Sequence, residues 1–227
     1  MVSAKFFLGA YWGSRVESVE VCAGRFARFL DRLVKVDPLL STWFHAIRSQ
    51  AETLRSPITP NQDTLRKILQ ESLDIDSPKL GFSLVAVNGH DLLEARFSLT
   101  CGSDAAVSPN VVRLNLPRRT EESRHLYQPE TMKTLFRAVV EEWDPAWALF
   151  GTREMRDMQG GFTGKPFAGW LTYIRDAPAT LHHTETNIDI VPLGSGTLLV
   201  AGADPVQVTT NHIKDAAALL GVELIEP

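Results

Sequence analysis

The sequence predicts an α+β fold, a central and mostly antiparallel sheet with helices packed against it, and three observations predict it. Apolar residues recur every three or four positions in some stretches and every second position in others, the periods of helix and strand. Helical and strand stretches are partly segregated, without the regular strand–helix alternation that builds a parallel sheet. Asn88-Gly89 and Gly194-Ser195-Gly196 sit between apolar runs as tight reversals, which join antiparallel neighbours. With 227 residues, 44% of them hydrophobic, the chain buries a sizeable core and reads as one domain over 1–227.

Residues 5–12 read as a strand, followed by a helix that Ser14 and Glu17 open with the S-x-x-E spacing of a capping box. Behind that cap Val19, Cys22, Phe26, Leu30, Leu33 and Val36 form one face, with Arg25, Arg28, Asp31, Arg32 and Lys35 on the wetter side. Asp37-Pro38 supplies the cap and first position of a second helix, with Leu39, Leu40, Trp43, Phe44 and Ile47 inward. Pro57 and Pro60 punctuate a loop before Asn61, which caps a third helix carrying Leu65, Ile68, Leu69 and Leu73 on its apolar face.

The period then changes. Phe82–Val87 is nearly continuously apolar, a strand covered on both faces, and after Asn88-Gly89 residues 93–100 alternate as a half-buried strand should. Val112, Leu114 and Leu116 alternate with Arg113 and Asn115 in a third strand, and the three make an antiparallel meander. The stretch 117–128 is polar and aperiodic, an exposed loop; Pro129 opens a helix with Met132, Leu135, Phe136, Val139 and Val140 inward, and Asp144-Pro145 repeats the cap-and-proline punctuation. Strands at 147–150 and 168–174 flank a glycine-bearing segment. A hairpin over 188–193 and 197–201, a helix capped near Asn211 and stopped by Gly221, and a strand over 222–225 complete the chain.

No apolar run approaches the roughly 20 residues of a membrane-spanning helix. The stretch MVSAKFFLGAYWG is too short in apolar residues for a signal peptide, so the reading is cytoplasmic. Cys22 and Cys101 accordingly read as two buried thiols, with a disulfide between them as the alternative. The net charge of −4 hides an asymmetry: from Asp176 onward seven acids face the single base Lys214. Such a segment repels phosphate and attracts a basic protein surface; it equally fits a solvated face that keeps the protein soluble.

Catalytic patterns are weak. The run from Gly160 to Lys165 has the wrong glycine spacing for a phosphate loop and Pro166 where Ser or Thr would hold magnesium, so it reads as a mobile glycine loop. The six histidines (His45, His90, His125, His182, His183 and His212) show no zinc spacing, neither cysteine has a C-x-x-C partner, and no metal or cofactor is expected. Gly194-Ser195-Gly196 reads as a hairpin tip instead of a nucleophile elbow. Glu141, Glu142 and Asp144 read as structural, since adjacent helical positions diverge by about 100° and Asp144 caps. Trp12, Trp43, Trp143, Trp147 and Trp170 fit binding hot spots or core, and their motif positions favour core. Arg15 reads as an intramolecular anchor.

The run GAYWG-x-R-x-E-S, followed by Cys22, Ala23, Arg25, Phe29-Leu30 and DP-x-x-S-x-W, resembles the start of immunity protein family 52. Further matching pieces follow in order: Leu80-Gly81-Phe82, Asn88-Gly89, Cys101-Gly102, 114–117, Glu142-Trp143-Asp144-Pro145 with Trp147, 169–173, and 192–198. The resemblance covers about the whole length. It implies a non-enzymatic cytoplasmic antidote of a bacterial polymorphic toxin, including cargo of type VI secretion, the toxin often being a nuclease of restriction-endonuclease type. The partner is then the toxin protein, with no direct nucleic acid and no membrane. A small enzyme or ligand-binding domain of unknown substrate is the alternative. The expected contact residues are exposed acids: Glu121 and Glu122 in the charged loop, and Asp176, Glu185, Asp189 and Asp204 in the acidic segment.

Overall fold

A computed structural model describes residues 5–46, 57–105, 110–161, 165–176 and 188–222. Within them nine strands form one antiparallel sheet: β1 (Phe6–Trp12), β2 (Phe44–His45), β3 (Phe82–Val87), β4 (Arg96–Cys101), β5 (Asn110–Asn115), β6 (Trp147–Thr152), β7 (Leu171–Arg175), β8 (Ile188–Leu193) and β9 (Gly196–Ala201). The spatial order is β2-β3-β4-β5-β1-β6-β7-β9-β8. The α+β expectation holds, and the β3–β4–β5 meander is present in register.

Helices α1 (Val19–Val36), α2 (Gln62–Glu71) and α3 (Pro129–Trp143) cover one face of the sheet. Alternation along β1 sorts its residues: Phe6, Leu8, Ala10 and Trp12 join the core under these helices, while Phe7 and Tyr11 point to the other face. Into the main core α1 sends Phe26, Phe29, Leu30 and Leu33, each large apolar side chain contributing about 1.5–3 kcal/mol by full burial. Phe97 of β4 stacks on Phe26 with ring centroids 5.3 Å apart. The second face carries α4 (Arg153–Asp157) and α5 (Thr210–Leu219), and Met155, Ile213, Ala216 and Ala217 meet Ile188, Leu199 and Ala201 there. Over β3, β4 and β5 that face bears no helix among the described residues, and Val85, Ser98, Thr100 and Val111 are only half-buried.

Several local expectations shift. The cap of α1 is Ser18, whose hydroxyl accepts from Val21 N; Ser14 instead bonds the carboxylate of Asp104, and Glu17 pairs with arginines. Strand β1 ends at Trp12 as expected, and the helix is capped at Ser18, four residues later than the S-x-x-E spacing implies. Asp37 does act as an N-cap, accepting from Leu39 N, but one 3₁₀ turn, Pro38–Leu40, replaces the second helix because Phe44 and His45 pair with β3. Ile47 lies outside the described residues. Asn61 caps α2 as expected, accepting from Asp63 N and Thr64 N.

Strand β3 is half-covered, with Ser83 exposed, and β4 begins at Arg96 because buried Asn88 spans the reversal: its side chain bonds the main chain of Leu39, Leu93 and Ala95. The loop 117–128 contains a 3₁₀ turn, Arg124–Tyr127, that buries Leu126 and Tyr127. Asp144 closes α3 in the left-handed conformation (φ 45°) and begins no new helix. Gly160 and Gly161, both at positive φ, terminate the turn after α4 by donating to Asp157 O and Arg156 O, which only glycine does without strain; residues 162–164 lie outside the described residues. Thr209, not Asn211, caps α5, and Gly221 stops it at φ 66°. Val222 donates to Ala217 O in the turn that ends α5, and the rest of the strand expected over 222–225, like His182-His183, lies outside the described residues.

Candidate functional site

The polar residues of the N-terminal motif are engaged within the protein. Arg15 Nη2 donates to Trp143 O at 2.9 Å and Nη1 to Asp144 O at 3.2 Å, while the guanidinium lies 4.7 Å from the Trp12 ring. Arg25 Nη1 donates to Glu142 O at 2.6 Å, and Arg28 bonds the buried Glu142 carboxylate at 2.7 Å. Arg32 reaches Glu141 at 2.7 Å. The last carbonyls of a helix lack intrahelical donors and sit at the negative end of its dipole, so cations from β1–α1 are the physical complement of the α3 terminus. Burial holds the Arg15 guanidinium below its ordinary value, and neighbouring Glu17 opposes that shift. All five tryptophans are buried, and the carboxylates Glu141, Glu142 and Asp144 are all ion-paired, Asp144 with Arg175 at 3.1 Å. The motif is a scaffold lock.

The acidic positions do not converge. Glu121 and Glu122 are exposed beyond β5, Glu121 pairing with Arg124 at 2.6 Å. A hydrogen bond from the Thr120 side chain holds the Glu122 carboxyl below its usual range. Asp176, exposed and at φ 53°, follows the last residue of β7; Asp204 follows β9, which runs the opposite way. They therefore lie at opposite ends of the sheet, roughly 17–20 Å apart along a strand of this length. Asp204 is half-buried and accepts from Val206 N, closing its own turn. Asp189 is exposed on the edge strand β8. Glu185 lies outside the described residues.

A cleft of about 490 Å³ opens instead where the start of β1, the start of β4, the end of β5 and α4 meet. Its cations come from positions 5, 96, 113, 118, 153 and 156, with Glu94 and Glu154 as its acids. Register gathers them: Phe7 pairs with Asn115 on one side and Gly151 on the other, and Arg96 pairs with the same Asn115. Gly9 supports the arrangement from below, since a Cβ there would fall 2.7 Å from the Tyr11 ring, and Tyr11 Oη lies 3.4 Å from Arg113 Nη2. Sequence reasoning missed this cleft because its three parts, the start of β1, the β4–β5 pair and α4, lie far apart in the chain. Among the described residues no group of three or more His, Cys, Asp or Glu side chains is placed to hold a metal. No described helix is long and apolar enough to cross a membrane.

A search of curated proteins returns no match. Among solved structures the chain is similar to one described as "Pseudomonas aeruginosa T6SS protein PA0821", with 14% identity and a TM-score of 0.58 over 96% of this chain and 75% of that one. At that identity the likeness is one of fold. The family described as Immunity protein 52 matches residues 4–221, nearly the whole length. The ordered motifs and the fold that buries them agree with that match, and the chain belongs to the immunity protein 52 family.

Proposed function

We propose that the protein binds a cognate bacterial toxin and silences it by occupation of a surface, with no chemistry of its own. The family match over residues 4–221 carries this reading. The lock around Trp143 supports it, because the shared motif holds the fold and leaves exposed loops to vary with the partner. We further propose a toxin that is a nuclease of restriction-endonuclease type delivered by type VI secretion, met in the cytoplasm through protein contacts and not through nucleic acid. Its contacts would include Glu121, Glu122, Asp176, Glu185, Asp189 and Asp204, whose carboxylates suit the basic, phosphate-facing surface of a nuclease.

The test is co-expression and purification with the product of the neighbouring toxin gene, followed by a DNA-cleavage assay. The expected result is a stable complex burying roughly 1,600 Å² or more, of nanomolar affinity, in which cleavage is suppressed. Absence of binding at micromolar concentration overturns the reading. Binding with undiminished DNA cleavage, or a toxin with another activity, overturns the nuclease assignment and leaves the immunity reading standing.

A further inference from the structure

Six cationic side chains crowd one end of the sheet, and the protein itself supplies few counter-charges for them. Lys5, Arg96, Arg113, Arg118, Arg153 and Arg156 line the cleft against only two acids, in a chain whose formal net charge is −4. Arg156 pairs with Asp157 at 2.6 Å; the other five cations make no ion pair among the described residues. Arg113 shows this most plainly. Its guanidinium lies 6.0 Å from the Phe7 ring and 3.4 Å from Tyr11 Oη, and its buried Nε has no hydrogen-bond partner. Gathering like charges on an otherwise acidic protein destabilises the free state through repulsion, and an anionic partner relieves it.

The lining also says what kind of anion fits. Glu94 and Glu154 stand among the cations and repel a polyphosphate, whereas a protein segment can place its own basic or neutral groups beside them. Phe6, Phe7 and Leu116, each at most 9% exposed, close the floor of the cleft, and the aliphatic stems of the arginines line its walls. Five of the six cations are arginines, whose planar forks bind carboxylates in bidentate pairs. The volume of about 490 Å³ admits a few side chains and not a duplex.

We propose that this cleft receives an acidic segment of the cognate toxin, a proposal that rests on the immunity reading above. The interface then has two signs: cations in the cleft and the acids Glu121 and Glu122 beyond the same end of β5, so that a toxin is recognised by charge pattern and not by net charge alone.

The experiment compares binding kinetics of the neighbouring toxin, in an inactivated form, with three proteins at low and high salt. These are the wild type, the triple reversal Arg96→Glu, Arg118→Glu, Arg153→Glu, and a control reversal Lys67→Glu, Lys79→Glu, Lys214→Glu. All six positions are exposed, and melting curves check the fold; Arg96→Gln, Arg118→Gln, Arg153→Gln serves as a milder second set. The expected outcome is an affinity loss of about 100-fold for the cleft variant, with a flattened salt dependence, and little change for the control of equal charge. Equal losses in both reversals, or none in either, overturn the cleft while the wild type's binding keeps the immunity reading intact. No binding by the wild type sinks both. A rise in melting temperature with inorganic pyrophosphate that the cleft variant lacks, with toxin binding unchanged, assigns the cleft to a small phosphorylated ligand and overturns the acidic segment.

Discussion

Arg15 Nη2 sits 2.9 Å from the main-chain oxygen of Trp143, joining residues 128 positions apart in sequence. The contact ties the loop after β1 to the last turn of α3, beside the stacked rings of Trp12 and Trp143. It gives the arginine of the N-terminal motif and the tryptophan of the EWDP motif a single shared task. Because that task is internal, damage to it is expected to appear as lost stability.

Arg15→Ala strips a donor from two carbonyls that end α3 and leaves Glu17 with one arginine fewer. The expected cost is about 1–3 kcal/mol, and Arg15→Lys recovers only part of it because a point charge cannot reproduce the fork. Urea denaturation measures both. Unchanged midpoints would remove Arg15 from the lock.

Trp143 is fully buried between Trp12 and Phe29, so Trp143→Ala should cost about 3–5 kcal/mol. Toxin protection then fails through loss of folded protein. Calorimetry alongside a binding assay decides: a normal melting temperature with lost binding would make Trp143 an interface residue.

Tyr127 donates its hydroxyl to Pro117 O, and burial pushes the phenol pKa well above its ordinary value of 10.0. The folded-state value is the raised one, so the contribution is fully present below about pH 10. It is lost as pH rises beyond that, by up to about 1.4 kcal/mol per unit, because the unfolded chain alone ionises. Tyr127→Phe should cost about 1 kcal/mol at pH 7 and show a shallower alkaline decline than the wild type. Parallel curves in stability measured from pH 8 to 11 would contradict this.

Cys22 and Cys101 are both fully buried, and a hydrogen bond with Cys22, reinforced by burial, drives the Cys101 thiol far above its usual pKa. Thiolate being the reactive form, a water-soluble thiol reagent at pH 8 should label neither cysteine in the native protein and both in denaturant. Labelling of the native protein at the rate of a free thiol would show that the α1–β4 contact opens readily.

Charge reversal of Glu121 and Glu122 together tests the acidic loop. The expected effect on toxin binding is a lower association rate, strongest at low salt, with a smaller change in dissociation. Stopped-flow kinetics at two ionic strengths measure it. Identical rates and an identical salt slope would leave these acids as a solvated face only.

The pattern of α1 was legible because a helix is read from neighbours three and four residues apart, and Phe26, Leu30 and Leu33 point inward as that spacing requires. Asn61, the β3–β5 meander and the hairpin at Gly194 were legible for the same local reason, as was the family. Where a neighbour from afar competes, local signals failed. Ser14 and Glu17 have capping spacing, yet Asp104 and Arg25 take their side chains; Asp37-Pro38 starts a helix that β3 stops after one turn by pairing with Phe44.

Chain order alone therefore determined most element types, the apolar faces and the scaffold motif, since each depends on residues within a few positions of one another. Only the tertiary structure decided which charges share a surface. It set Asp176 and Asp204, which share one acidic stretch of the chain, at opposite ends of antiparallel strands, and brought Lys5, Arg96, Arg118 and Arg153 to one cleft. The physical reason is register: a side chain's face follows from its own strand, but its neighbours across the sheet follow from pairings made over long separations, and those pairings are fixed only when the core beneath them closes.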